Sequence, residues 1–567
     1  MAAFFSKLWS LALCFILVMQ AGGYKPAVPN ASDPSLEPPE WPVWTHSHWV
    51  WENDGNENSA WAHAMAYLDH DMPVGAVIID RPWDTGPTTF VPDPNLYPNV
   101  GQMIENFHDK DIRVMFWATC VVNEDAPSFQ EAYDKGYFLN NGRTMKWWAG
   151  TGAYIDYTNP EAVEWWHGQM DKILELGADG WKVDGADPYL LLMFPTFGRG
   201  GYVSWTDYKE LFYGDFHYYT REKYGKDKIS FARPVDDLPF GLAFWMPPFT
   251  QREYNFAGWT GDEYNDWGGM KWALNDIFAA AKYNFVNVGS DIGGFRIRAK
   301  TDKDVLLRWT QLGAFCSVME NGNDTDRLPW AYDDETLDIY RNFVYIHHEL
   351  IPYIYSQTAY SYELVKPMIR PQPGEYMYLF GDNILVAPFT ESGTKRDVTF
   401  PAGEWIYMFD ETKVYSSGKK TLDIPLDEFP VFIRKGAIVP VDYVSGEYGT
   451  LANALFDGYT NILTYPAYGE EKFGLYEEDK TGVMLSYVKD SDSLTLKSGA
   501  TDRPLLFKVC GEAAPQSAEF SNGAALPKSL SMTALKAAGT GYFADADGVI
   551  WVAVSNAAAG AEIVINY

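Results

Sequence analysis

Between residue 44 and about residue 356, short apolar runs of strand length alternate with longer stretches in which apolar residues recur every three or four positions. Eight runs are candidate strands: Thr45–Trp51, Ala76–Asp80, Arg113–Thr119, Gly180–Asp184, Ile229–Arg233, Phe256–Asp262, Phe285–Asp291 and Ala314–Glu320. Eight strands alternating with helices predict an α/β fold, a closed (β/α)8 TIM barrel over residues 44–356. One unit can be read residue by residue. Asn159 caps, Pro160 takes the first helical position, Val163, Trp166, Met170 and Ile173 repeat at helical steps, and Gly177 stops the helix before Trp181-Lys182-Val183-Asp184. After about Gln357 the helical period fades into short runs bounded by Gly, Asp and Pro, such as Asn383 to Pro388, Pro430 to Arg434 and Val549 to Val554. This predicts two smaller all-β, sandwich-like modules, a proximal one over residues 357–441 and a distal one over 442–567.

The amino end reads differently. One cation, Lys7, precedes an apolar run from Leu8 to Met19 and the small residues Ala21, Gly22 and Gly23, which is the pattern of a signal peptide over residues 1–23 and predicts a secreted chain. An uncleaved anchor is the alternative. The run is shorter than the roughly 20 residues a spanning helix needs, so stable membrane insertion is not expected. Residues 24–43 are proline-rich and aperiodic, an extended lead-in. Cys14 lies in the leader, leaving Cys120, Cys316 and Cys510, too few for a disulfide framework, so stability must come from core burial. Asn30-Ala31-Ser32 and Asn323-Asp324-Thr325 are glycosylation patterns compatible with secretion.

Composition narrows the partners. Forty-four basic against 76 acidic residues leave a net charge of −32, which repels phosphate backbones and anionic lipid, so nucleic acid is not an expected partner. Hydrophobic residues at 47% and charged residues at 21% exclude a disordered or fibrous chain. The many aromatic side chains suit core packing and the apolar faces of sugar rings.

Chemistry enters at the strand ends. Asp80, Asp184, Asp262 and Asp291 each close an apolar run, which in a closed barrel places all four on the carboxyl-end rim where active sites are built. Converging carboxylates suit oxygen-ligated metal binding, acid–base work, or glycosyl transfer through a carboxylate nucleophile. His347-His348-Glu349 lacks the helical spacing of a zinc-protease pair, and neither metal nor cofactor is expected. Gly198-Arg199-Gly200-Gly201 follows no strand and precedes no phosphate-binding lysine, so it reads as a loop, and no serine-hydrolase elbow is present.

With those residues in view, the chain from about 70 to 440 resembles glycoside hydrolase family 31, the retaining α-glucosidases, α-xylosidases, α-galactosidases and their relatives. The stretch from Tyr154-Ile155-Asp156-Tyr157-Thr158-Asn159-Pro160 through Trp165-Trp166 looks like the family's approach to its nucleophile strand. Gly180-Trp181-Lys182-Val183-Asp184 matches that strand, Gly258-Trp259-Thr260-Gly261-Asp262 the acid/base segment, and Ser290-Asp291-Ile292-Gly293-Gly294-Phe295 a substrate-binding aspartate with its Gly-Gly turn. Arg308-Trp309, Pro329-Trp330, Pro352-Tyr353-Ile354-Tyr355, Lys366-Pro367-Met368-Ile369-Arg370-Pro371 and Pro430-Val431-Phe432-Ile433-Arg434 look like later landmarks of the family. The resemblance implies Asp184 as nucleophile and Asp262 as acid/base. It implies Asp80 and Asp291 as acceptors of sugar hydroxyls, and Arg233 and Arg252 as groups orienting substrate or acid. Trp117, Trp259 and Trp181 are candidates for packing on the sugar, with core filling equally open for Trp181. Lys182 shares a strand face with Asp184, either keeping it ionised or forming a buried ion pair.

Departures are visible too. Asp187 stands where the family usually has glutamate, and Glu320-Asn321-Gly322-Asn323 replaces an Arg-x-His stretch that touches the sugar. The spacing from Arg233 to Asp262 is long, and no room precedes Trp44 for the β-sandwich that ordinarily lies before the barrel. The implied function is a retaining α-glycosidase acting on terminal α-linked sugars of an oligosaccharide or glycan. The alternatives are an α-glucan lyase or transglycosidase sharing the covalent step, and a catalytically silent glycan-binding protein.

Overall fold

A computed structural model describes residues 38–185, 190, 193–235, 248–297, 299–323, 325–445 and 456–567. The predicted signal segment, Asn30-Ala31-Ser32, Asp187 and Asp324 lie outside the described residues. Eight parallel strands form the barrel: β1 (His48–Glu52), β2 (Ala76–Ile79), β3 (Arg113–Ala118), β4 (Gly180–Val183), β5 (Ile229–Ala232), β6 (Ala257–Trp259), β7 (Val288–Gly289 and Asp291–Ile292) and β8 (Met319–Gly322). They pair in order from β1 to β7. The barrel closes because β7 is split at Ser290. Its first half pairs with β6 (Trp259 opposite Gly289), and its second half pairs with β8 (Asp291 opposite Glu320), which in turn pairs with β1.

Helices α1 (Glu57–Asp69), α2 (Val100–His108), α3 (Pro160–Leu174), α4 (Trp205–Tyr224), α5 (Trp267–Lys282), α6 (Lys303–Ala314), α7 (Asp334–Glu349) and α8 (Ile351–Glu363) flank and follow these strands. In α3 the Asn159 side chain accepts a hydrogen bond from the Glu161 backbone N–H, and Ala162, Trp166, Met170, Ile173 and Leu174 form the buried face. The eighth strand starts later than the apolar run suggests. Ala314 ends α6, and the run through Val318 turns before the ladder begins at Met319. An apolar run buried on both sides carries no period that separates helix end from strand start.

Strand alternation produces two cores. Trp49, Trp51, Ala76, Ile78, Met115, Ile229, Phe231, Ala257, Trp259 and Val318 fill the barrel interior, while the opposite faces pack against the helices. Along β4, Trp181 and Val183 point outward and Lys182 inward. Trp181 is thus held by core packing. It donates to Thr220 Oγ1 at 3.1 Å and abuts Phe90 and Phe216. Truncating an interior ring such as Phe231 to alanine would cost about 3–5 kcal/mol.

Beyond the barrel come a six-stranded antiparallel sheet spanning residues 369–434 and two five-stranded sheets. Ile438–Val441 pairs with Thr460–Thr464 in one of the five-stranded sheets. Arg308 on α6 ties barrel to proximal sheet, donating to the carbonyls of Glu428, Ile424 and Pro425. Cys120, Cys316 and Cys510 are buried free thiols, and burial pushes Cys316 up to about 12. No helix among the described residues is long and apolar enough to cross a membrane.

Candidate active site

At the carboxyl ends of β2, β4, β5 and β7 the inward alternation delivers Asp80, Asp184, Arg233 and Asp291 to one rim, and Asp262, in the loop that follows β6, is joined to them by Arg233. Asp184 immediately follows β4, its backbone N–H bonded to the Ala118 carbonyl at 2.9 Å. One guanidinium joins the two carboxylates singled out as catalytic. Arg233 Nε donates to Asp184 Oδ1 at 3.0 Å, and Arg233 Nη2 donates to Asp262 Oδ1 at 2.5 Å. Trp117 Nε1 donates to Asp184 Oδ2 at 3.0 Å, and the Gly185 N–H donates to Oδ1 at 2.7 Å. Burial works against the Asp184 charge, but Arg233, Lys182 and these two donors together hold its carboxyl below the usual range.

Lys182 Nζ donates to Asp80 Oδ2 at 2.6 Å, while Asp80 Oδ1 takes the Arg81 backbone N–H at 2.8 Å. The ammonium sits over the rings of Trp259 and Trp51, at 4.9 and 5.6 Å. Burial disfavours its charge, but Asp80, Asp291, Glu320 and Asp184 together hold it protonated above the ordinary lysine value.

Several candidates land elsewhere than the sequence suggests. Trp259 offers no open face to a sugar. It is fully buried, packs on Phe231, and lies beneath the cations of Lys182 and Arg233. It is the floor of the site, a consequence of the tight Gly-Trp strand pointing it into the barrel. Arg252 does not join the cluster. Its guanidinium stacks on Tyr362 at 4.0 Å and donates to the Tyr362 carbonyl on α8. The Gly198-Arg199-Gly200 loop is pinned to the motif before α3: the Arg199 N–H donates to Asp156 Oδ2 at 2.6 Å and the Gly200 N–H to Thr158 Oγ1 at 2.8 Å. A Cβ on Gly198 would lie 2.2 Å from Asp156 Oδ1, so a side chain there would displace the Asp156 carboxylate that holds the loop.

Other residues belong to the site without having been singled out. Arg296 Nη2 reaches Asp262 Oδ2 at 3.4 Å. Trp148, half exposed at the tip of the hairpin Met145–Trp147/Gly150–Tyr154, meets Trp117 edge-on, with Arg81 4.8 Å over its ring. Glu320 on β8 and Glu263 beside Asp262 are fully buried carboxyls. Glu320 follows the same rule as the four aspartates, an acid closing an apolar run, and was legible on that ground. The Gly293-Gly294 turn carries positive φ at both positions, and a Cβ on Gly294 would strike the Tyr264 backbone at 2.7 Å. That turn lets Arg327 Nε reach the Gly294 carbonyl at 2.5 Å while its guanidinium lies over Trp51. No group of three or more histidine, cysteine, aspartate or glutamate side chains among the described residues is arranged to hold a metal ion.

Comparison with known proteins agrees with this architecture. Residues 37–357 match the glycosyl hydrolases family 31 TIM-barrel domain and residues 362–439 match the glycosyl hydrolase family 31 C-terminal domain. The chain belongs to glycoside hydrolase family 31. It is 26% identical over 434 residues to the α-xylosidase XylQ of Lactiplantibacillus pentosus, covering 70% of this chain and 54% of that protein. It is 25% identical over 483 residues to α-glucosidase 2 of Bacillus thermoamyloliquefaciens, covering 80% and 59%. Its fold matches that of the cycloalternan-forming enzyme of Listeria monocytogenes in complex with pentasaccharide substrate, with a TM-score of 0.80 at 20% identity, covering 93% of this chain and 54% of that one. The chain spans about half the length of the curated relatives it matches.

Proposed function

We propose that the chain is a retaining α-glycosidase that releases terminal α-linked sugars from an oligosaccharide or glycan by double displacement. The observation that carries this reading is the Arg233 guanidinium gripping Asp184 and Asp262 through neighbouring nitrogens. Retention needs two carboxyl groups about 5–5.5 Å apart across the scissile bond, and two carboxylates held by one guanidinium suit that spacing. Asp184, kept ionised, attacks the anomeric carbon as the bond to the leaving oxygen breaks, and Asp262 gives that oxygen its proton. A glycosyl ester on Asp184 results. Asp262, now a carboxylate, takes a proton from water as the water attacks the same carbon and Asp184 departs.

Asp291 and Asp80 are the natural acceptors for sugar hydroxyls, and Trp117 fixes the nucleophile's orientation through its indole N–H. The similarity to α-xylosidase and α-glucosidase supports an α-linked pyranose as substrate. A panel of nitrophenyl α-glucoside, α-galactoside, α-xyloside and α-N-acetylgalactosaminide tests class and sugar together, and a 5-fluoroglycosyl reagent should label Asp184 in a peptide map. Longer oligosaccharide products would mean transfer, and an unsaturated anhydro sugar would mean elimination. Tight glycan binding with no turnover across the panel would sink the reading.

A further inference from the structure

Two carboxyls at the closing seam of the barrel have an unusual arrangement. Asp291 on β7 and Glu320 on β8 are register partners on adjacent parallel strands, and Glu320 is also in register with the interior residue Trp49. Both therefore point into the barrel. Asp291 is 1% exposed and Glu320 is 0% exposed, and among the described residues no hydrogen-bond donor meets any of their four oxygens. Two carboxylates side by side in a dry interior would repel and leave every lone pair unsatisfied, each buried and unmet group costing about 1–3 kcal/mol or more. A single proton between them removes the repulsion and gives the pair one hydrogen bond.

We propose that Asp291 and Glu320 share one proton, with Glu320 as the positioning residue that donates it, so that Asp291 keeps a free oxygen for a sugar hydroxyl at the cost of one buried charge rather than two. This rests on the glycosidase reading only for the sugar's part; the shared proton stands on the geometry of the seam. The charged and titratable groups facing the pair are consistent with it. From β4 comes Lys182, already committed to Asp80 of the β2 end, and from the end of β5 comes Arg233, already committed to Asp184 and Asp262. Arg327, after β8, is engaged with the Gly294 carbonyl. From the β6 side come two further acids, Asp262 and Glu263, the latter accepting from Thr260 Oγ1 at 2.6 Å. Cations are thus too few to neutralise both members. Burial, then the charge of Asp291, push Glu320 well above the usual carboxyl range. Burial pushes Asp291 up to about 6 against the pull of Lys182 and with the help of Asp262.

The test compares wild type with Glu320→Gln, whose amide supplies a permanent donor, and reads thermal unfolding and kcat/KM from pH 5 to pH 8. A carboxyl raised in the folded state binds more protons there than in the unfolded chain, so wild-type stability falls as pH rises through this window. The variant lacks that ionisation. Its Tm relative to wild type should climb by roughly 2 °C or more from pH 5 to pH 8, and its kcat/KM should keep only the alkaline fall set by the general acid Asp262. Glu320→Leu, with no donor, should raise KM at least roughly tenfold while Asp184 is still labelled by the trapping reagent. Parallel Tm curves for wild type and Glu320→Gln would overturn the shared proton even in an active enzyme. A divergence of the curves in a protein that turns over no glycoside would uphold the proton and overturn the function.

Discussion

The two ends of strand β4 place buried aspartates in opposite circumstances. At its amino end, Asp179 is fully buried and fully met. It accepts from the Val114 N–H at 2.9 Å and lies 2.6 Å from His108 Nε2, 2.9 Å from Lys228 Nζ and 3.4 Å from Arg113 Nη1. At its carboxyl end, Asp184 is also charged and paired, but its cation is shared with Asp262, and the neighbouring Asp291, Glu320 and Glu263 have buried oxygens with no donor. Four residues along one strand separate a saturated anchor from an unsaturated cluster. Donors spent on a carboxylate hold structure, whereas carboxyl oxygens left without donors keep their hydrogen-bonding capacity unspent, at a cost in stability that the anchored end and the filled barrel interior offset.

The comparison breaks most visibly through the nucleophile. Asp184→Ala should lower kcat on the best α-glycoside by about 10⁴-fold while the protein unfolds cooperatively as before; activity within roughly tenfold of wild type would remove Asp184 from the mechanism. Arg233→Ala should lower kcat/KM by about 10²–10³-fold. Arg233→Lys should not restore it, since an ammonium lacks the fork that serves two carboxylates at once. Full rescue by lysine would mean that charge alone, without the fork, is sufficient.

The opposite end sharpens the contrast. Asp179→Asn should leave kcat per folded molecule unchanged yet destabilise the fold by about 3 kcal/mol, the lower end of the range for a broken buried pair because His108 and Arg113 are partly in water. His108, then Lys228 and the Val114 N–H, hold the Asp179 carboxyl below its usual range against the opposing effect of burial. Its stabilisation is therefore present above the unfolded value near pH 4 and is lost as pH falls through the folded value, so denaturant unfolding of Asp179→Asn should show a shallower acid loss than wild type. The smallest effect belongs to Lys182→Met. Lys182 helps Arg233 hold Asp184 ionised, so its removal should move the acid limb of the kcat/KM profile to higher pH; an unmoved limb would make Lys182 a structural partner of Asp80 alone.

Much of this was legible locally. Asn159, Pro160 and Gly177 frame α3 as expected, because capping and helix termination depend on residues a few positions apart. All eight barrel strands lie within or beside the apolar runs, and Asp80, Asp184 and Asp291 reach one rim because each continues an inward-pointing alternation, with Asp262 arriving there from the loop after β6. Legibility failed where a side chain's neighbours come from remote strands. Trp259 reads as a sugar platform until Phe231 and the two cations cover it. Arg252 reads as a substrate ligand until its guanidinium meets Tyr362, 110 positions on. Glu320 closes the run Ala314–Glu320 in plain view, but its partner Asp291 comes into register with it only where the split seventh strand meets the eighth.

The sequence by itself determined the eightfold alternation, the change to β-rich modules and which acids sit at strand ends, since each follows from the period of neighbouring residues. Only tertiary structure decided the pairing of charges: Lys182 with Asp80 across 102 positions, Arg233 with Asp184 across 49 and with Asp262 across 29, and Asp291 with Glu320 where the split seventh strand closes the barrel. Strand periodicity is set by the backbone, while the charge on a buried carboxyl is set by whatever the closed barrel brings within a few ångströms of it.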